Sequence, residues 1–431
     1  MVIRFKRKSV AEWLVLFILV LPFLFGLLLE LMQLPTLIRY MLDAAWMILL
    51  FLMLARKRGL PNSNIKIIAI LMGAFFLIGF LGFLLNFQSP LYFLWGLRNN
   101  ARFFVYFFAC ILFIRKCSVE YYFRLFDWVF WVNFLVILYQ YFVLGKSGDY
   151  LGGIFGVQRG CNGYINIFLS IIAARSALCY MMRRESFWPC AVKYLVMLII
   201  SVFSELKAFV LELGIIILLA SVMTRFSLRK IWIIIGCAMG IVVAARGVAT
   251  LFPTFEDWFD LEHMIRGLTK KEGYSGMGDM NRLTSVPIVW NMFLPNVWQK
   301  LFGKGLGNCD YAAFSALTSP FYVQYGWLNY TYFCVAMLML ETGLLGTALY
   351  VGFFVAVFLA ARKLLRKGGD PLYCRMTQIL SVICLILLVY GNAMRAESAF
   401  MMYFAMALPF IRKEPGEQND IRLRKGVLQC P

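Results

Sequence analysis

Histidine is almost missing from this chain: His263 is the single one in 431 residues. Cysteine is present eleven times, but no two stand in a CxxC spacing. Zinc sites need clustered His, Cys and carboxylate ligands, so the pattern speaks against a metal enzyme, and no metal or cofactor is expected. Acidic residues are few, 22 against 42 Lys and Arg. Internal repeats, low-complexity stretches and interdomain linkers are absent. Long polar connections are also absent, with one exception, so a soluble nucleotide-binding unit has no place to fold.

What is there is apolar. Hydrophobic residues make up 62% of the chain and mean hydropathy is +0.77, more than a soluble domain can bury. A spanning helix needs about 20 apolar residues, and the runs predict an all-α polytopic membrane protein with about twelve transmembrane helices. They fall near 11–32, 37–55, 66–87, 102–115, 126–144, 163–182, 191–204, 207–224, 230–250, 331–361, 376–394 and 398–411. The run from 331 is long and is expected to break at Gly343 or Gly346. One integral domain, 1–411, is followed by a polar tail, 412–431.

The basic residues orient these helices. Arg4–Lys8, Arg56–Arg58, Arg115 with Lys116 and Arg124, Arg183 with Arg184, Arg225 with Arg229 and Lys230, Arg362–Lys367, and Arg412, Lys413, Arg424 and Lys425 all occupy alternate connections. Positive residues stay cytoplasmic, which puts both termini inside. The net charge of +20 is then topological and lipid-directed, and no nucleic-acid partner is expected. The first apolar run lacks a small-residue cleavage site and reads as a retained span rather than a signal peptide.

The exception is the polar interval 252–328, which this topology places outside the membrane. Phe255–Leu261 reads as an interfacial amphipathic segment. Thr284–Leu294 has helical spacing, with Pro287 in its first turn. Gly303-Lys304-Gly305-Leu306-Gly307-Asn308 only superficially suggests a dinucleotide loop, because no strand precedes it. Its glycines fit a tight turn with close backbone approach.

Outer cations have no topological use, so each needs another reason. They include Arg98, Arg102, Arg159, Lys207, Arg246, Arg266, Arg282, Lys304 and Arg395. Solvation explains Arg266, Lys270 and Lys271. A pair with Glu397 is one explanation for Arg395, and a pair with Glu205 or Glu212 is one for Lys207. The functional alternative is an anion site built from Arg159, Lys207 and Arg282, since guanidinium forks suit phosphate. Glu341 lies within a span, where a carboxylate is either functional or paired with a neighbouring helix or Lys207. Tyr322, Tyr325, Tyr330 and Tyr332 suit either sugar rings or a membrane interface. Cys161 and Cys309 both fall outside, which leaves a disulfide between them open.

Asn281-Arg282, Trp290, Leu301–Asn308 and Leu340-Glu341-Thr342-Gly343-Leu344-Leu345-Gly346 together resemble the O-antigen polymerase/ligase superfamily, bacterial membrane glycosyltransferases of the GT-C type. Ser204–Phe209 is similar to a further element of that family, with Lys207 where Arg is usual. The resemblance implies a donor glycan on undecaprenyl pyrophosphate, an acceptor sugar hydroxyl, and location in the bacterial cytoplasmic membrane with the site facing outward. It implies catalytic roles for Arg282 and Glu341 and pyrophosphate contacts from Arg159, Lys207 and Arg282. Glycan contacts are expected from Tyr325, Tyr330, Tyr332 and Asn308. Expected partners are the bilayer, a flippase and a chain-length regulator. The ligase branch carries a His before the E-x-G span, where this chain has Tyr330 and Tyr332, so the polymerase branch is favoured. The alternatives are the ligase, a lipid-linked-oligosaccharide transporter, and a scaffold. Carriers often show internal repeats, and none is visible.

Overall fold

The structure, a computed structural model, describes residues 9–56, 63–224 and 278–411, together with Ile235, Gly236 and Met239. Expectations for the span 230–250, the segment Phe255–Leu261, His263, Arg246, Arg266, Lys270, Lys271 and the tail 412–431 lie outside the described residues, as do the Arg4–Lys8 and Arg225–Lys230 basic clusters and Lys57 and Arg58.

The chain is an all-helical membrane protein, and no strand occurs among the described residues. The long helices are α1 (Val10–Val20), α2 (Met41–Leu54), α3 (Ser63–Leu85), α4 (Pro90–Phe113), α5 (Val119–Phe142), α6 (Asn162–Met181), α7 (Phe187–Phe203), α8 (Lys207–Met223), α9 (Cys334–Arg366), α10 (Pro371–Tyr390) and α11 (Ala399–Ala407). Among the described residues, six helical stretches are long and apolar enough to cross a membrane, and three shorter apolar ones accompany them. α6 is the central one: 89% of its apolar window is buried inside the protein, against 22% for the stretch containing α2. Helices such as α3 that are apolar all round yet exposed need a hydrocarbon surround.

One element departs from the sequence reading. α4 begins at Pro90, well before the expected 102. Arg98, Asn99, Asn100 and Arg102 interrupt its hydropathy, but Asp43, Asp310 and Glu397 bond Arg98, Asn99 and Arg102 from other elements, and Asn100 bonds the Gly96 carbonyl within the helix, so the helix runs through them. The break expected in the long span falls at Gly343, whose φ of 62° and ψ of −163° lie in a region almost reserved for glycine.

The glycine-rich turn 303–307 fills that break. Lys304 N donates to the Leu340 carbonyl (2.7 Å) and Gly305 N to the Glu341 carbonyl (3.0 Å). Helix breakage would otherwise strand these acceptors in an apolar setting. A side chain on Gly343 would stand 2.5 Å from the Leu301 carbonyl carbon, and one on Gly307 would stand 1.9 Å from the Tyr92 carbonyl oxygen. The turn is a backbone plug between α3, α4 and α9. Beside it, residues of 278–333 form a second apolar core, with Met280, Val289, Phe293, Cys309 and Tyr330 against Met337 and Leu340 of α9. The expected Thr284–Leu294 helix is there as Ser285–Ile288 continued by a π turn, Val289–Phe293.

Side-chain pairs define two ends of the bundle. At one, Arg115 meets Glu12 (2.9 Å), Arg56 meets the Leu112 carbonyl and Tyr373 bonds Glu120. The described basic connections at Arg115–Lys116, Arg183–Arg184 and Arg362–Lys367 gather there. At the other end, Arg98 meets Asp43, Arg395 meets Asp310 and Asn162 meets the Ser204 carbonyl. The glycine-rich turn belongs to this second end.

Candidate functional site

At the second end lies a cleft of about 480 Å³. Five arginines line it: Arg39 just before α2, Arg98 and Arg102 one turn apart on α4, Arg159 just before α6, and Arg395 after α10. Residues four apart share a helix face, which is why Arg98 and Arg102 both enter.

Three of the five are clamped from behind. Arg98 grips Asp43 with two bonds, Nε at 3.0 Å and Nη2 at 2.5 Å. Arg102 sits 3.3 Å from Glu397 and donates to the Arg395 carbonyl at 2.8 Å. Arg395 meets Asp310 at 2.9 Å and Glu341 at 3.5 Å. Burial works against the Arg395 charge, but Glu341 and Asp310 outweigh it and raise its pKa. Burial likewise pushes the Glu397 carboxyl up, but Arg102, Arg39 and the Tyr164 hydroxyl pull harder and lower it to about 2.

The other two arginines have no carboxylate within ion-pair distance among the described residues. Arg39 donates to the Gln158 side chain at 2.9 Å and stacks on Phe25, leaving its Nε buried and without a partner. Arg159 is exposed, its guanidinium 5.8 Å from the Tyr332 ring centre. Tyr40, Trp95 and Tyr311 add aromatic surface to the wall.

The residues expected at the site are only partly brought together. Arg159 lines the cleft, with its guanidinium over the Tyr332 ring. Glu341 is fully buried behind it, accepting from Gly307 N at 2.8 Å and facing Arg395, so it orients the site rather than touching a ligand. Its partner is Arg395, not Lys207. Arg282 lies outside the cleft lining, with its guanidinium on the Tyr390 ring (4.3 Å) and Nε bonded to the Tyr390 carbonyl (3.0 Å). Lys207 begins α8 and acts on Glu205 through space. Glu212 instead accepts from Asn166 and Ser170.

Other residues named from the sequence have structural contacts of their own. Tyr330 is fully buried and donates to the Cys309 carbonyl at 2.6 Å, so it cannot meet a sugar. Tyr325 packs on Phe293 and Phe321 in the second core. The Asn308 amide closes its own turn on the Lys304 carbonyl. Arg395 does not pair with Glu397, which takes Arg102. Cys161 and Cys309 are both free thiols.

Arg39 escaped the sequence reading because it falls inside an apolar run, and Asp310 because it follows the glycine turn without a motif. A usable signal existed for Arg39, since an arginine at the outer start of a span has no topological role. Among the described residues no group of three His, Cys, Asp or Glu side chains is placed to hold a metal ion. No protein-family model and no curated protein matches the chain.

Proposed function

We propose that the protein polymerises lipid-linked oligosaccharide repeat units, moving a glycan from undecaprenyl pyrophosphate to a sugar hydroxyl of a second lipid-linked unit. The observation that carries the reading is the convergence of five arginines on one cleft, two of them with no carboxylate at ion-pair distance among the described residues. The described basic connections gather at the opposite end, which with the positive-inside rule supports an outward-facing cleft, where lipid-linked glycans would be presented. The resemblance of Leu301–Asn308 and Leu340–Gly346 to the polymerase/ligase superfamily supports the same reading. It favours a bacterial cytoplasmic membrane, with a flippase and a chain-length regulator as partners.

In this scheme the acceptor oxygen attacks the anomeric carbon and passes its proton to water. The bond from that carbon to the pyrophosphate oxygen breaks, and the lipid pyrophosphate leaves with the electron pair. Charge develops on the departing phosphate oxygen. Preplaced cations stabilise it without reorganising at the moment of reaction. Arg39 and Arg159 grip the pyrophosphate, while Arg98, Arg102 and Arg395 supply a fixed positive wall. Glu341 holds Arg395, and Tyr40, Trp95, Tyr311 and Tyr332 offer faces for sugar rings.

The test is single replacement of Arg39 and Arg159 by Ala, followed by analysis of surface glycan length and of lipid-linked precursor. Removing one such donor typically costs about 3–4 kcal/mol, so single units should accumulate outside and long chains vanish. Normal chain length in both variants overturns the site. Loss of attachment to a lipid core with chain length intact would point to the ligase, and precursor trapped inside to a flippase.

A further inference from the structure

Away from the cleft, one carboxyl group in the helix bundle has no cation within ion-pair distance among the described residues. Glu212, on α8, is fully buried. Its Oε1 is 3.0 Å from Asn166 Nδ2 and its Oε2 is 2.7 Å from Ser170 Oγ, both on α6. Ser170 is also fully buried and Asn166 nearly so. Asn166 Oδ1 is buried and has no hydrogen-bond partner, although its amide already contacts Glu212.

Among the described residues α8 packs chiefly on α6, α7 and α10, and none of these helices brings a cation within ion-pair distance of Glu212. The α6 arginine, Arg175, is bound to Asp127 and Glu120. The α7 lysine, Lys193, is bound to Asp127 and Glu185. The titratable neighbour on α10 is the Cys384 thiol. Two neutral donors do not offset a full negative charge inside a bundle.

We propose that Glu212, Asn166 and Ser170 form a buried site for one monovalent cation, a proton or Na⁺, between α6 and α8. The carboxylate supplies the charge, and Asn166 Oδ1 and Ser170 Oγ complete a ring of oxygens. A proton would be carried on the Glu212 carboxyl and shared with the Asn166 carbonyl oxygen after rotation of its amide. Na⁺ would draw on the same atoms, since hard cations take oxygen ligands. The site shares α6 with the cleft: Tyr164, two residues before Asn166, bonds Glu397 in the cleft wall. This inference stands apart from the proposed glycan chemistry.

The experiment compares thermal unfolding of the full-length detergent-solubilised protein with that of Glu212→Gln, a neutral near-isostere. NaCl is exchanged for choline chloride at constant ionic strength, from mildly acidic to mildly alkaline pH. If the occupant is Na⁺, NaCl raises the melting temperature of the native protein by at least about 2 °C and leaves Glu212→Gln unmoved. If it is a proton, Na⁺ has no effect, and the native protein loses stability relative to Glu212→Gln as pH rises. A difference between the two proteins that ignores both pH and Na⁺ overturns the proposal. So does a Glu212→Gln variant that folds less stably under every condition, because Glu212 would then be an ionised group held by a partner.

Discussion

Replacing Gly343 by Ala attacks the joint that holds the cleft together. The backbone there, at φ 62° and ψ −163°, is a conformation that costs a residue with a side chain about 1–3 kcal/mol. The new methyl would stand 2.5 Å from the Leu301 carbonyl carbon and 2.6 Å from Gly303 N. Both are backbone atoms of a plugged turn, so no flexible side chain can swing away, and overpacking adds about 1–3 kcal/mol. The sum is about 4 kcal/mol, roughly a thousandfold in the folding equilibrium. A backbone that escaped the strain by continuing the helix would close the gap the turn occupies. Gly307 would move off Glu341, and Arg395 would lose its support. The assay is thermal unfolding in detergent followed by tryptophan fluorescence, with Gly352→Ala as control. Gly352 is also on α9, but a side chain there meets nothing within 4 Å, and Ala in a helix interior is favourable by about 1 kcal/mol. Gly343→Ala should melt well below Gly352→Ala. Equal melting temperatures would refute the account of the joint.

Other perturbations separate structural roles from chemical ones. Tyr330→Phe should cost about 1–3 kcal/mol, because the buried Cys309 carbonyl loses its donor, and thermal unfolding should show this with glycan length unchanged. Glu341→Ala leaves Gly307 N without its acceptor and Arg395 with Asp310 alone. A loss of about 2–3 kcal/mol is expected, and a double-mutant cycle with Arg395→Met should recover a coupling energy above about 0.5 kcal/mol. The Glu397 carboxyl is lowered to about 2, so its contribution is complete above the ordinary carboxylate range, near pH 4–5. It is lost as pH falls from there through about 2. With 13% of its side chain exposed, the full contribution is about 2–3 kcal/mol, and the stability gap between the native protein and Glu397→Gln should close over that acid range.

Much of the fold was legible because lipid imposes a simple rule. A span must bury its own backbone groups, so apolar runs report helices directly. The rule failed at α4, where Arg98, Asn99 and Arg102 are supported by Asp43, Asp310 and Glu397. These partners are far away in sequence and invisible to a hydropathy window. The glycine turn was legible as a turn, but not as the plug of a broken helix, since that needs Gly303 and Gly343 to meet across the fold. The site was less legible still. Arg395 and Glu397 looked like partners because they are adjacent, yet the segment after α10 sends them to different neighbours, Asp310 and Arg102. Tyr330 looked like a sugar platform, and its burial follows from packing in the second core rather than from its own sequence surroundings.

The carboxylates behind the arginines give the cleft its character. Asp43, Asp310, Glu341 and Glu397 set against Arg39, Arg98, Arg102, Arg159 and Arg395 leave a formal charge of +1 (five minus four). A cleft meant only to concentrate anions would omit those acids. Their presence weakens the field at the wall but fixes where each guanidinium points, which is what transition-state stabilisation requires, because a group that is already aligned need not reorganise. Arg39, before α2, and Arg159, before α6, are the two arginines with no carboxylate at ion-pair distance among the described residues. A single phosphate can satisfy one such fork, and a diphosphate has the extent and charge to engage both. The division of labour between three clamped arginines and two open ones therefore suits a ligand that carries its negative charge in two linked groups and leaves with more charge than it brought.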